Sequence, residues 1–360
     1  MQRLLWNMLD TPLTRALCSP LSVDDYLTAF NPLWSVERTR ARIEAVEPET
    51  ADAVSLWLRP NHNWQGHRAG QHVLLGVQID GVWHRRCFSL SVPPGTAMLR
   101  ITVKRNGEGR VSNHLVDHAR PGDIVELDGP AGEFVLPEPR PQKLLMISGG
   151  SGVTPMLAMA RQLVNEGYEG SLVFLHYSRC YDDTIALNEM RELASSFPWL
   201  ALKLVVTEEA PEAGDHGGFF SAEQLAELVP DAQQRHALLC GPEGMMAQVR
   251  QHHAQQPFLA LDEEQFAAPG PTTSGEGRVH FLRSGEQVDG GDAGSLLELA
   301  ESRGLNPRYG CRMGICQECR CHVEQGTVRD LRNDQVRQVR DETVQLCVHA
   351  AAGDVHINEL

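Results

Sequence analysis

The chain has 360 residues, 42% hydrophobic and 22% charged, with a formal net charge of -15. That acidic balance excludes a nucleic-acid partner, whose phosphates it would repel, and favours a protein partner with a basic docking surface. No apolar run reaches the roughly 18 residues of a membrane span, and the start MQRLLWNMLDTPLTRAL is too polar for a signal peptide, so a cytoplasmic protein is expected.

Residues 1–37 carry two stretches with helical spacing of apolar positions, Leu4, Leu5, Met8 and Leu9, then Leu21, Tyr26, Leu27 and Phe30 behind Asp24 and Asp25. They read as a packing arm, with docking on a partner or a membrane surface as the alternative. Residues 38–140 change to short alternating segments such as AVSLWLRP, HVLLGVQI, LRITVKR and DIVELDGP, punctuated by Gly, Pro and Asn as in an antiparallel β-barrel. Residues 141–262 alternate strands with helices, from KLLMIS through PMLAMARQLV and SLVFLHYS to HALLCG, which predicts a doubly wound parallel sheet. Residues 263–276, rich in Gly, Pro, Ser and Thr, read as a linker. Residues 277–360 form a third compact module of strands, one helix and a cysteine loop.

The nine cysteines are odd in number, and four of them lie between Cys311 and Cys321, a clustering that suggests metal ligation rather than disulfides. Cys311-x4-Cys316-x2-Cys319, with a distant Cys347, is the plant-type 2Fe-2S spacing, four thiolates for two tetrahedral irons. Gly310 and Gly314 fit a loop that turns its amides toward cluster sulfurs. A zinc site is the competing reading, but zinc frameworks pair two C-x2-C knuckles and only Cys316 and Cys319 make one here. Cys321 reads as a small buried residue, and Cys18, Cys87 and Cys180 as ordinary thiols.

In the barrel, the strand HRRCFSLSV sends Arg86 and Phe88 to one face and Ser89 to the other, with Cys87 between them. These supply a cation for phosphate, an apolar ring and a hydroxyl, the needs of a flavin site, although an ordinary barrel strand would carry the same pattern. About twenty residues on, NGEGRVSNHL places Gly107, Gly109, Val111, Ser112 and Asn113 at the start of a helix, where N-terminal amides and a hydroxyl can bind a pyrophosphate. In the next module SGGSGVTPMLAMA follows a strand. Gly149, Gly150 and Gly152 permit close backbone approach, and Pro155 suits a first helical turn. Ser178 and Arg179, Thr207, and Cys240-Gly241-Pro242 also fall at strand C-termini, where open α/β sheets bind ligands.

RCFS, GRVSN, GGSGVTP and CGPEGMM occur in the order and spacing of the ferredoxin-NADP reductase superfamily, which they resemble over residues 39 to 262. The resemblance implies a flavin-binding barrel followed by a nucleotide-binding domain, here fused to a β-grasp-like 2Fe-2S ferredoxin domain. It implies that Arg86 and Ser112 contact flavin phosphates, that Phe88 packs on the flavin in place of the usual tyrosine, and that Ser89 hydrogen-bonds near N5. Thr154 and Cys240 would lie near the nicotinamide, with Gly241 and Pro242 lining its path, and Ser89 and Cys240 are the expected catalytic pair. GRVSN resembles the loop of the FAD-binding branch, so FAD is expected rather than FMN. Arg179 is placed to meet a 2′-phosphate, favouring NADPH, whereas Asp182 and Asp183 could hold a free ribose and favour NADH.

Hydride carries two electrons and a 2Fe-2S centre accepts one, so a flavin is the required converter. The leader NPLWSVERTRARI, WLRPNHNWQGHRAGQHV and YGCRMGICQEC resemble bacterial reductases that serve acyl-lipid desaturases. The resemblance implies a membrane-bound fatty-acyl desaturase as acceptor, with peripheral membrane association through that partner. A ring-hydroxylating oxygenase, a dedicated carrier, a redox sensor and a bare ferredoxin-like carrier are the alternatives.

Overall fold

The computed structural model describes residues 11–107, 109–266, 275–292, 294–305, 307–310, 312, 314 and 317–358. The first expected helical stretch, Leu4 to Leu9, and the ligands Cys311 and Cys316 lie outside the described residues. The chain divides into two units, 1–264 and 265–360.

The first unit opens with α1 (Pro12–Cys18) and α2 (Val23–Phe30), the second started by a Ser22/Asp25 capping box. α2 buries no residue, and Leu17, Leu21, Tyr26 and Phe30 are exposed. The sheet that follows comprises β1 (Thr39–Thr50), β2 (Ala53–Pro60), β3 (His72–Ile79), β4 (Val82–Ser89), β5 (Leu99–Lys104) and β6 (Ile124–Ala131) in the order β4-β3-β6-β1-β2-β5. Neighbours are antiparallel. A Leu90 to Ile101 bridge and the Ser91 amide donating to the Arg100 carbonyl at 2.9 Å join the two edges, which closes the barrel and removes its open strands. Val73, Leu75, Leu56, Leu58, Ile101 and Leu127 fill its core, as strand alternation requires. α3 (Arg110–His118) lies between β5 and β6 in sequence and buries Val111, Ser112 and Leu115.

The parallel sheet of this unit has β7 (Lys143–Gly149), β8 (Ser171–Ser178), β9 (Leu200–Val206), β10 (His216–Gly217), β11 (His236–Cys240) and β12 (Ala260–Glu264), in the order β10-β9-β8-β7-β11-β12. Intervening helices are α4 (Val153–Glu166), α5 (Leu187–Ser196), α6 (Ala222–Leu228) and α7 (Glu243–Gln255). Strand order reverses between β7 and β11, so the ligand crevice of such a sheet lies beyond Gly149 and Cys240. β12 runs through Glu264, so two residues read above as linker are strand. Their polarity, ALDEE, hides the element, because β12 is an edge with only one neighbour to match.

A buried ion network joins barrel to parallel sheet. Arg100, at the β5 end of the barrel, meets Glu49 at 2.5 Å and Glu189 of α5 at 2.9 Å, and Glu189 also pairs with Arg161 of α4. Arg161 in turn donates to the Ser91 carbonyl.

The second unit has β13 (Arg278–Phe281), β14 (Gln287–Asp289), β15 (Arg320–Asp330), β16 (Gln335–Gln345) and β17 (His349–Asn358), ordered β14-β13-β17-β15-β16 with β13 and β17 parallel. α8 (Leu296–Ser302), capped by Ser295 and Glu298, packs Leu296, Leu297, Leu299 and Ala300 against Val279, Phe281, Val355 and Ile357. This is the β-grasp-like arrangement expected of residues 277–360. No described helix is long and apolar enough to cross a membrane.

Candidate active site and cofactor sites

β4 pairs with β3 so that Arg86 opposes Leu75, Phe88 opposes Val73 and Ser89 opposes His72. Directly opposed residues share a face, and Phe88 packs against the barrel core whereas Ser89 and His72 turn the other way. The Leu90 amide donates to the Gln71 carbonyl at 3.0 Å, which makes Ser89 and His72 a non-hydrogen-bonded pair, the type with the closer side chains. Ser89 Oγ is buried without a hydrogen-bond partner. A hydroxyl so placed costs about 1–3 kcal/mol unless a ligand meets it, and a bound flavin would do so. Arg86 and Cys87 are half-buried on the same strand.

Gly109 is the N-cap of α3 and offers no side-chain cap, so the first amides of the helix are open to an anion. A β-carbon at Gly109 would stand 2.8 Å from the Asn106 carbonyl oxygen, which is why the turn takes glycine. Asn113 closes this turn from inside: its Oδ1 accepts from the Asn106 amide at 3.1 Å and its Nδ2 donates to the Gly107 carbonyl at 3.0 Å. Asn113 therefore shapes the loop, while Val111 and the Ser112 side chain are buried behind it.

At the sheet crevice, Ser148 and Cys240 are in register on β7 and β11, so the loops after them meet backbone to backbone. A β-carbon on Gly152 would lie 2.2 Å from the Cys240 carbonyl oxygen, and one on Gly149 would lie 2.7 Å from Pro242 Cδ. Gly241 similarly approaches the Gly149 amide, 2.9 Å from its ideal β-carbon. Gly150 has φ +52° and opens the short turn before α4. Thr154 is buried and donates from Oγ1 to the Ser151 carbonyl at 2.9 Å, and Pro155 sits buried in the first turn. Cys240 is fully buried, and burial together with the charge of Glu264 pushes its thiol well above the ordinary range. Such burial disfavours the thiolate that a nucleophilic role requires.

Beyond β8, Ser178 is buried and accepts from Thr184 Oγ1 at 2.6 Å. Arg179 is exposed, its Nε on Asp183 at 2.8 Å, and that hydrogen bond holds the guanidinium firmly charged. Asp183 also receives Lys104, so this carboxylate is engaged by two cations.

Two residues at this site escaped the sequence reading. His72 Nδ1 lies 3.1 Å from Glu264 Oε1, both side chains are buried, and His72 Nε2 and Glu264 Oε2 have no partner. Glu264 is in register with Cys240 and His72 opposes Ser89, so this pair links the two expected catalytic residues. Gly132, with φ +107°, leaves room for it, since a β-carbon there would be 3.0 Å from the imidazole. The sequence held a faint signal, a histidine opening the strand HVLLGVQI, whose only other polar residue is Gln78 near its far end.

In the second unit Cys319 and Cys347 are buried with Sγ atoms 3.2 Å apart. That is far beyond the roughly 2.05 Å of a disulfide and suits two thiolates on one metal. Gly314, with φ +74°, fits under Val348, and its carbonyl accepts from Gln345 Nε2 at 2.7 Å. Arg312 and Gln317 also have positive φ, 58° and 59°, backbone strain that a loop wrapped on a cofactor can hold. Cys321 points into the apolar core of this unit.

Residues 41–136 match the oxidoreductase FAD-binding domain family, 146–251 the oxidoreductase NAD-binding domain family and 279–352 the 2Fe-2S iron-sulfur cluster binding domain family. The chain is 37% identical to an NADPH oxidoreductase of Mycobacterium tuberculosis, over 94% of this chain and 89% of that protein. The chain belongs to the ferredoxin-NADP reductase superfamily, with a C-terminal 2Fe-2S ferredoxin domain. It is also 29% identical to the glycine betaine monooxygenase reductase subunit of Chromohalobacter salexigens, over 83% of this chain and 90% of the relative. Phthalate dioxygenase reductase is similar in structure, with TM-score 0.59 and 25% identity over 89% of this chain and 97% of its own. This flavoprotein is thus an NAD(P)H-dependent ferredoxin reductase-type oxidoreductase whose cofactors are FAD and a 2Fe-2S cluster.

Proposed function

We propose that the enzyme takes hydride from NADPH at the Ser89 and Cys240 crevice and sends electrons singly through its cluster to a fatty-acyl desaturase. The observation that carries the hydride step is the buried, unpartnered Ser89 hydroxyl, opposite His72, whose partner Glu264 is in register with Cys240. FAD supplies the change from two-electron to one-electron transfer. Arg86 and the open N-terminus of α3 hold its phosphates, with Gly109, Val111 and Ser112 shaping that end, and Phe88 and Ser89 hold its ring system. Gly149, Gly150, Gly152, Thr154 and Pro155 cradle the nucleotide pyrophosphate, and Cys240, Gly241 and Pro242 exclude water beside the nicotinamide. Cys311, Cys316, Cys319 and Cys347 bind the cluster.

NADPH is favoured over NADH because Asp183, the carboxylate best placed for a free ribose, is already engaged by Lys104 and Arg179. Arg179, which meets Asp183 through Nε and is otherwise exposed, receives a 2′-phosphate beside Ser178. The desaturase reading rests on the resemblance of the leader, barrel entry and cysteine loop. A second reading, the reductase component of a ring-hydroxylating or demethylating oxygenase system, is supported by relatives such as the stachydrine N-demethylase reductase subunit of Rhizobium meliloti. Reconstitution decides between them: NADPH oxidation coupled to acyl desaturation in membranes bearing a desaturase supports the first, and coupling to a soluble terminal oxygenase alone rejects it.

A further inference from the structure

Oxidation of NADPH to NADP+ releases two electrons and one proton, and a 2Fe-2S cluster carries away electrons only. One proton per nucleotide must therefore leave the flavin site by another route. The described residues place three buried polar atoms without partners there, Ser89 Oγ on β4, His72 Nε2 on β3 and Glu264 Oε2 on β12 of the parallel sheet. Ser89 and His72 are a close-spaced cross-strand pair, and Glu264 reaches the imidazole from β12. Where the Glu264 carboxylate accepts from Nδ1, Nε2 is left as a lone pair.

We infer that His72 is the proton acceptor of the flavin site, receiving at Nε2 the proton released beside Ser89, with Glu264 as the positioning residue that holds the ring through Nδ1. His72 then yields the proton to water when the nucleotide crevice empties. The arrangement has the logic of a base oriented by a buried carboxylate. Among the described residues, few groups face the pair. β4 contributes Ser89 and β11 the Cys240 thiol, while the turn after β6 contributes Gly132 and the exposed Glu133. On β12 itself, Asp262 is taken by His236 and Glu263 by Arg250.

The inference rests on Ser89 meeting the flavin, and the test separates the two. Anaerobic stopped flow on the FAD-loaded protein follows flavin reduction by NADPH and reoxidation by ferricyanide in H2O and in D2O, for the wild type, His72→Gln and Glu264→Gln. Reoxidation of His72→Gln should fall relative to its hydride-transfer rate by about tenfold or more and recover with added imidazole, with a smaller fall in Glu264→Gln. Wild-type reoxidation without a solvent isotope effect overturns the inference even if His72→Gln does not fold. Reoxidation of His72→Gln at the wild-type rate also overturns it, leaving His72 as an interdomain contact that affects melting temperature alone. Ser89→Ala with unaltered flavin spectrum, affinity and potential would instead show that the flavin lies elsewhere.

Discussion

Replacing Gly152 with alanine puts a β-carbon 2.2 Å from the Cys240 carbonyl oxygen and 2.5 Å from its carbon, where ordinary contact begins at 3.4 Å. Both obstacles are backbone, fixed in a ladder between β7 and β12, so no side chain can rotate away. The loops must part by about 1 Å, an overpacking that costs about 1–3 kcal/mol. A displacement of about 1 Å between reacting groups lowers a rate on the order of a hundredfold, while the barrel is untouched. Gly152→Ala should therefore retain FAD and cluster and melt lower by roughly 2–10 °C. Its flavin should bleach with NADPH tens to hundreds of times more slowly in anaerobic stopped flow. Gly244→Ala, where a β-carbon meets nothing within 4 Å, is the control and should be neutral. Hydride transfer at the wild-type rate in Gly152→Ala would refute the backbone contact and, with it, this placement of the crevice.

Cys319→Ser and Cys347→Ser should each abolish the cluster's visible absorbance and reduced paramagnetic signal while NADPH still reduces ferricyanide, whereas Cys321→Ala should keep both signals and lose about 1 kcal/mol in denaturant melts. Arg179→Ala should raise KM for NADPH on the order of tenfold to a hundredfold, as removal of a charge-assisted contact does, with KM for NADH little changed. Equal effects on the two nucleotides would reject the 2′-phosphate role. His176 is buried against Ser148 Oγ at 2.8 Å, and burial lowers its pKa from 6.5 to about 4. Its folded pKa lies below the unfolded value, so its neutral form contributes full stability above pH 6.5 and the folded state loses up to about 1.4 kcal/mol per unit as pH falls from there toward 4. His176→Phe should flatten that stretch of the acid unfolding curve, measured by circular dichroism.

What the residues revealed in advance were features whose chemistry is local. The run of Gly149, Gly150 and Gly152, the Cys311-x4-Cys316-x2-Cys319 spacing and the alternation of single barrel strands such as HVLLGVQI each span fewer than a dozen positions, so a linear reading meets them. Asn113 adds what that reading could not give, since its side chain ties the loop to Asn106 and Gly107 beside the ligand contact its motif suggests. His72 and Glu264 are separated by 192 positions and meet only because the barrel packs on the parallel sheet. A glutamate in ALDEE is indistinguishable from its exposed neighbours until that packing is known. The buried partnership of Arg100 with Glu49 and Glu189 is equally invisible, since each residue is of a type usually found in water.

The Arg100, Glu49, Glu189 and Arg161 network also governs how this reductase can be rebuilt. Removing one member of a buried ion pair leaves a stranded charge and costs about 3–5 kcal/mol, so exchanging the nucleotide-binding half for another, to alter coenzyme preference, is not a free cut at residue 141. A chimera must import α4 and α5 with Arg161 and Glu189 in place, or redesign Glu49, Arg100 and the Ser91 carbonyl contact as a set. The seam between the halves is a lock with parts on both sides, and a compatible module is one that carries the matching half of it.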